Sequence, residues 1–367
     1  MISIVIPTYN EKDNLGALVA RISKACSKGG IDAEIVIVDD NSPDGTGALA
    51  EELARTNNLK VIHRADKLGL SSAIIAGFSA SSASILVMMD ADLSHPPEKI
   101  PEMITKIIND EADIVIGSRY TLGGSVEKWS IYRRIVSKGA VLLARGLTKV
   151  KDPMSGFFAL RRSVIEGIEL NPIGFKIGLE ILAKGRYARV IEVPVHYVER
   201  EAGKSKLDRS EYWNYLKQVA QLYEGRKPWL SRYVKYSTVG AVGTLVNTAV
   251  LWTANVLLLV YYLWAAVIAF AFASTSNYAL NKLWTFKSRS PVASQYARFL
   301  LTSIDGLMLT LILLKSVIDG IMPAFGIRLD RSGLHLVLAN LLVTFVVSLF
   351  NFGANSLWTF RADTSAR

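Results

Sequence analysis

Ser84-Ile85-Leu86-Val87-Met88-Met89-Asp90-Ala91-Asp92-Leu93-Ser94-His95-Pro96-Pro97 is the stretch on which the fold turns. Ile85 to Met89 is a short continuous apolar run, the composition of a strand buried on both faces of a parallel sheet. Two carboxylates follow at once. Open α/β sheets bind ligands beyond the carboxyl ends of their strands, so Asp90 and Asp92 there offer hard oxygens to a divalent cation and its phosphate or hydroxyl partners. The plainer reading makes Asp90 a cap for the next helix, Asp92 a solvated turn residue and Pro96-Pro97 the opening of that helix. Asp-x-Asp alone is too short and common a pattern to choose between them, so the flanking chain decides.

Toward the N-terminus, Ser3-Ile4-Val5-Ile6 runs into Pro7-Thr8-Tyr9-Asn10-Glu11, and Leu15, Leu18, Val19 and Ile22 give a helical spacing over residues 14–26. The opening run is too short and lacks the basic flank for a signal peptide, so it reads as the first strand. Glu34-Ile35-Val36-Ile37-Val38 is a second strand ending in Asp39-Asp40-Asn41-Ser42-Pro43-Asp44-Gly45, with a helix over 46–56. Residues 60–63 make a third strand, 70–80 a helix and 114–116 a fifth strand after the one quoted first. Strands alternating with helices predict an α/β fold with a doubly wound, mostly parallel sheet. Glu11, Asp39, Asp40, Asp90 and Asp92 then fall at strand carboxyl ends where one ligand can touch them all. The first loop carries neither Gly-x-Gly-x-x-Gly nor Gly-Lys-Ser/Thr, which removes the dinucleotide-dehydrogenase and P-loop classes.

The chain has 367 residues, 50% of them hydrophobic, and a formal charge of +10. Its mean hydropathy of +0.28 is high because long uncharged runs fill the C-terminal part. Four apolar segments, near 233–260, 262–283, 299–318 and 334–358, approach or exceed the ~20 residues that span a bilayer. The positive charge therefore suits an anionic membrane surface, and no nucleic-acid motif competes. Basic residues gather at Arg226, Lys227, Arg232 and Lys235, at Lys282, Lys287, Arg289 and Arg298, and at Arg361 and Arg367, whereas the opposite loops offer chiefly Arg328 and Arg331. The positive-inside rule then puts the polar N-terminal domain, the middle loop and the C-terminus in the cytoplasm of a multi-pass cell-membrane protein. Cys26 is the single cysteine, which excludes a disulfide framework.

The second and fourth segments end alike, in Asn277-Tyr278-Ala279-Leu280-Asn281-Lys282-Leu283-Trp284-Thr285-Phe286 and Asn351-Phe352-Gly353-Ala354-Asn355-Ser356-Leu357-Trp358-Thr359-Phe360. Two spans per unit make this a parallel duplication, with the Asn residues read as helix-to-helix glue. Asp305, inside the third span, is a functional candidate or the partner of a neighbouring Asn. Ahead of the spans, residues 211–224 place Tyr212, Trp213, Tyr215, Leu216, Val219, Leu222 and Tyr223 on one helical stripe, suited to the headgroup layer or to packing on the sheet domain.

Five ordered motifs carry a family resemblance: the first strand with Pro7-Thr8-Tyr9-Asn10-Glu11, Asp39 to Thr46, Gly69 to Ala73, Asp90 to Pro97, and Gly117-Ser118-Arg119-Tyr120. Over roughly residues 1–210 the chain resembles the inverting family 2 glycosyltransferases of GT-A fold, and among them the dolichol-phosphate mannose synthases and other polyprenyl-phosphate transferases. The spanning part resembles the four-span GtrA-like module. The resemblance implies domains at 1–208 and 232–367 joined by an amphipathic interface helix and linker over 209–231.

It also implies roles. Pro7, Tyr9, Glu11 and Asp40 would line the nucleoside pocket, and Asp90 and Asp92 would hold Mg²⁺ or Mn²⁺ on the donor diphosphate. Arg119, Arg133, Ser137, Arg200 and Lys206 would face the acceptor phosphate, with Asp92, Arg119 and Arg133 the catalytic set. Relatives usually show Gln where Ser94 stands here, and His95 reads as a turn residue. Asp152-Pro153-Met154-Ser155-Gly156-Phe157 and Gly174 to Glu180 also match, as a turn and a helix start or as substrate contacts.

Transfer to a sugar hydroxyl needs a base, and processive members add Gln-x-x-Arg-Trp; neither feature occurs between residues 150 and 225. A phosphomonoester, with a second pKa of about 6, is a dianion at neutral pH and attacks without one. The expectation is transfer of mannose from GDP-mannose to dolichyl or another polyprenyl phosphate. A UDP-sugar donor, such as UDP-glucose, is the rival within the class, and a glycolipid translocase with a regulatory nucleotide domain the rival outside it.

Overall fold

Alternate residues of the opening strand serve different layers, and this is why the run is apolar throughout. Ile4 and Ile6 pack with Leu15, Leu18 and Ile22 on one side of the sheet, while Val5 packs with Ile74 and Phe78 on the other. The computed structural model describes residues 1–127, 130–198, 209–317 and 334–361, and these divide into two units, Met1–Arg226 and Lys227–Arg367. The first begins with β1 (Ile2–Thr8), α1 (Lys12–Lys28), β2 (Ala33–Asp39), α2 (Thr46–Ala54), β3 (Leu59–His63), α3 (Leu70–Ala80) and β4 (Ile85–Met88). It continues through α4 (Ile100–Ile108), β5 (Ile114–Ser118), β6 (Ser125–Val126), α5 (Ile131–Ala144) and β7 (Phe158–Arg161). It closes with α6 (Ile177–Lys184), β8 (Val190–Pro194), β9 (His196–Tyr197) and α7 (Arg209–Arg226).

The main sheet has seven strands in the order β3-β2-β1-β4-β7-β5-β8. Six run parallel; β7 lies antiparallel between β4 and β5, with Met88 and Ile116 both opposite Phe158. The sequence predicts the parallel set but not this insertion, which carries the loop before β7 to the carboxyl ends of β4 and β5. On the helices the burial follows the 3.6 period: Ile100, Met103, Ile104 and Ile107 of α4 are all buried. α7 packs on its own unit, its Val219 and Leu222 buried with Val141 of α5 and Leu179 of α6. Its Tyr215 hydroxyl donates to Ala140 O at 2.6 Å and that of Tyr223 to Leu143 O at 3.0 Å. Trp213 on the same helix stays 66% exposed.

Among the described residues, the second unit holds four helices long and apolar enough to cross a membrane, Pro228–Leu257, Tyr262–Thr285, Val292–Ser316 and Ala339–Thr359. They correspond to α8 (Pro228–Trp252), α9 (Tyr262–Leu280) and α10 (Val292–Ser316), and the last overlaps α11 (Leu334–Ala354). The internal repeat is structural. Asn281–Thr285 and Asn355–Thr359 both wind as π turns, with their Asn and Thr buried and Trp284 and Trp358 outside. Phe286 and Phe360 stack on each other at 4.4 Å and 7°. Asn277 lies against Gly243, and Asn351 in the same way against Gly306, so the helices of each repeat approach where no side chain intervenes. Asn355 Nδ2 donates to the Tyr236 hydroxyl at 3.2 Å, tying α11 to α8. Asp305 is exposed on α10. Arg328, Arg331 and Arg367 lie outside the described residues.

Candidate active site

Three loops leave the sheet at its carboxyl edge, and each turns through a left-handed residue: Asn10 (φ 56°), Asn41 (φ 57°) and Leu93 (φ 59°). Asn adopts that conformation readily; a branched Leu does so only when its surroundings impose it. The Leu93 turn folds Ser94 back onto Asp92, whose Oδ1 accepts from the Ser94 N–H at 3.1 Å and hydroxyl at 2.5 Å. Asp90 rests on Gly156, where a Cβ would stand 2.7 Å from Asp90 Oδ2. His95, read from sequence as a turn residue, is instead buried between the rings of Phe157 and Tyr197, at 5.4 Å each. Its Nδ1 lies 3.9 Å from Asp90 Oδ2. Burial, with Arg119 adding to it against the pull of Asp92, holds the imidazole down to about 4, so it is neutral at pH 7. Asp90, Asp92 and His95 bring one ligand atom each within 4.8 Å of one another. Carboxylate oxygens with a neutral imidazole fit a divalent cation.

Pro7, Tyr9, Glu11 and Asp40 line the same cavity, of ≈ 1150 Å³. Asp40 is committed within the chain: Oδ1 accepts from Arg64 Nη1 at 2.5 Å and Oδ2 from the Gly69 N–H at 2.8 Å, anchoring the loop that enters α3. Lys67 Nζ stands 4.0 Å over the Tyr9 ring. Asp39, grouped with these acids from sequence, is turned away from the cavity and holds Thr8 and Ser42 instead, accepting from both hydroxyls and from the Ser42 N–H.

The opposite wall is basic. Arg119 donates through Nε and Nη2 to Oδ2 and Oδ1 of Asp152, each at 2.7 Å, and its backbone N–H adds a third bond to Oδ2 at 2.9 Å. Burial opposes this charge, but the hydrogen bonds and the charge of Asp152 outweigh it, and the guanidinium pKa is raised. Arg133 and Ser137 sit on α5 and line the cavity; Ser130 caps that helix, its hydroxyl accepting from the Arg133 N–H at 3.2 Å. The hydroxyls of Ser137 and Tyr120 are 2.7 Å apart. Lys176, in the stretch read as a helix start or as substrate contacts, also reaches the cavity, and burial and Arg119 together draw its ammonium down to about 8 against Asp90 and Asp152. Arg200 and Lys206, and with them Lys128 and Lys204, lie outside the described residues. His95 is thus the site residue that sequence reasoning misread, while Asp152 and Lys176 lay in stretches read either as a turn and a helix start or as substrate contacts, with no individual role. The signal for Asp152 and Lys176 was there in their two motifs, without a partner to give it meaning.

Residues 3–168 match the family described as Glycosyl transferase family 2, and residues 235–360 match the GtrA/DPMS transmembrane domain. The chain is 43% identical over 346 residues to a dolichol-phosphate mannosyltransferase of Pyrococcus furiosus, covering 89% of this chain and 96% of that one. It is 40% identical over 230 residues to the polyprenol monophosphomannose synthase of Mycolicibacterium smegmatis, covering 59% and 85%. Among solved structures, glucosyl-3-phosphoglycerate synthase of Mycobacterium tuberculosis aligns at a TM-score of 0.45 and 21% identity, over 62% of this chain and 80% of that one. With both parts matched in order and the first relative covered almost end to end, the chain belongs to the family 2 glycosyltransferases of the dolichol-phosphate mannosyltransferase type, as an integral membrane enzyme carrying a GtrA-like module.

Proposed function

We propose that the enzyme transfers mannose from GDP-mannose to dolichyl or another polyprenyl phosphate, with inversion at the sugar C1, on the cytoplasmic face of the membrane. The observation that carries the reading is one cavity with the Asp90, Asp92 and His95 cluster on one wall and Arg119, Arg133 and Ser137 on the other. The names of the two curated relatives above support the mannosyl group and the lipid phosphate. The clustering of Lys and Arg at Arg226 to Lys235 and Lys282 to Arg298 supports the cytoplasmic face.

In this reading Pro7, Tyr9 and Glu11 bound the nucleoside, and Asp40 keeps that wall in place through Arg64 and the Gly69 N–H. Asp90 and Asp92, with His95, would hold Mg²⁺ or Mn²⁺, and such a cation would supply Lewis-acid stabilisation of charge on the leaving diphosphate. Arg133 and Ser137 orient the lipid phosphate, with Arg119 beside them and Arg200 and Lys206 assigned there by resemblance. The attacking oxygen forms its bond to C1 as the bond from C1 to the diphosphate oxygen breaks. No proton moves, because the phosphomonoester is already a dianion. The wall therefore acts by position and charge.

A polyprenyl chain stays in the bilayer, at about 0.8 kcal/mol per buried methylene, so the enzyme must meet its acceptor at the surface. α5 suits that meeting. Arg133 and Ser137 face the cavity, while Ile131, Ile135 and Leu142 of the same helix are 78%, 63% and 72% exposed, with Arg134 and Lys138 among them for anionic headgroups. Arg133→Ala is expected to raise KM for dolichyl phosphate about 30-fold, the worth of a charge-assisted hydrogen bond, with GDP affinity changed less than threefold. Steady-state kinetics beside GDP titration calorimetry check it; a loss confined to GDP binding refutes the acceptor role.

The decisive test of the function is transfer of radiolabelled sugar into organic-extractable lipid, using full-length protein, dolichyl phosphate, Mn²⁺ and a panel of sugar nucleotides. Label moving from GDP-mannose alone is expected. Label from a UDP-sugar replaces the donor, and no transfer from any donor removes the reading.

A further inference from the structure

The positive charge assigned to Arg119 is largely spent. Its Nε and Nη2 both point at Asp152, which is completely buried, so the pair is close to neutral and its planar fork is already filled. What remains for a phosphate is the outer edge of a guanidinium whose charge is matched. A wall meant to hold phosphate needs a cation that is not matched inside the protein.

Lys176 comes nearer to it, since Asp90 and Asp152 act on its charge without an ion pair to it. It precedes α6, where Gly174 (φ 77°) turns the chain toward the cavity, and its Nζ donates to Met154 O at 3.0 Å while lying 4.2 Å from the Phe175 ring. An ammonium has three hydrogens, and the carbonyl takes one. Among the described residues no carboxylate forms an ion pair with it, although Asp90 and Asp92 line the same cavity. The side chain is half-buried, and a cation so placed is costly to keep until an anion arrives.

We propose that Lys176 is a catalytic residue whose ammonium binds a phosphate oxygen of the substrates in this cavity, beside Arg119. This rests on the reading that the cavity holds the two phosphate groups of the reaction. The oxygen belongs either to the lipid phosphomonoester or to the departing diphosphate, and the chemistry of recognition is the same for both.

The test compares full-length wild type with Lys176→Met and Lys176→Arg. Met keeps the aliphatic stem and the contact with Phe175, so the fold is retained, and thermal unfolding checks that it is. Titration of GDP with Mn²⁺ and of farnesyl phosphate measures the two phosphate sources without turnover, so the result stands whichever sugar is transferred. K176M is expected to weaken one of them about 30-fold, with K176R recovering most of the loss. Loss of farnesyl phosphate binding assigns the acceptor phosphate, and loss of GDP binding assigns the leaving group. Affinities for both within threefold of wild type in a folded K176M overturn the proposal. So does a loss that K176R shares in full, since it would then follow the shape of the side chain and not its charge. Failure of sugar transfer by the wild type, with these affinities changed as expected, would instead count against the proposed reaction alone.

Discussion

Asp92→Asn is expected to lower transfer about a thousandfold while the protein inserts in membranes and melts within a few degrees of wild type. The substitution keeps the shape of a side chain that is 4% exposed, and the amide oxygen can still accept from the Ser94 N–H and hydroxyl that close the Leu93 turn. What it removes is a negative charge from a cluster of two carboxylates and a neutral imidazole. Three decades in rate correspond to about 4 kcal/mol of transition-state stabilisation, within what a cation on a leaving diphosphate supplies. The same variant should bind Mn²⁺ at least tenfold more weakly, read by loss of the free-ion electron paramagnetic resonance signal on titration. Normal turnover in Asp92→Asn would sink the metal assignment. Unaltered Mn²⁺ affinity with lost turnover would keep Asp92 in catalysis and move the cation elsewhere.

The second large effect is on stability. Asp152→Ala removes the carboxylate that accepts from the Arg119 guanidinium and from its backbone N–H, in a side chain only 9% exposed. Breaking a buried pair from one side costs about 3–5 kcal/mol, which for a unit of this size lowers the melting temperature by roughly 6–20 °C. Removing both charges is different: Arg119→Met with Asp152→Ala should recover most of that loss, because no unpaired charge is then left behind. Thermal unfolding of the full chain in detergent checks both. A melting temperature for Asp152→Ala within 2 °C of wild type would show that the pair does not hold the site together.

These two residues mark where sequence reading stopped. Asp90 and Asp92 were legible because they follow a buried strand directly, so local pattern alone puts them at a sheet edge. The two halves of the repeat were legible by comparison of one stretch with another. Asp152 and Arg119 are 33 residues apart, and nothing local says that they meet. They meet because β7, only four residues long, slips antiparallel between β4 and β5 and brings the loop before it across their ends. The same insertion sets Gly156 against Asp90 and the Phe157 ring, tilted, against His95. His95 beside two prolines reads as a turn, and only the closing of β9 over it, through Tyr197, buries it.

By itself, then, the sequence determined the layered α/β unit, the acidic edge, the four apolar helices and their duplication. Each of these is written in the period and composition of neighbouring residues, where strand and helix geometry fix which side chains share a face. The tertiary structure alone decided that Arg119 is matched by Asp152, that Asp40 is held by Arg64, and that Lys176 and His95 enter the cavity. Those pairings depend on which strands lie side by side. Strand order is set by the packing of the whole sheet and its helices, so a residue's charge is visible in the sequence while the partner that cancels or frees it is not.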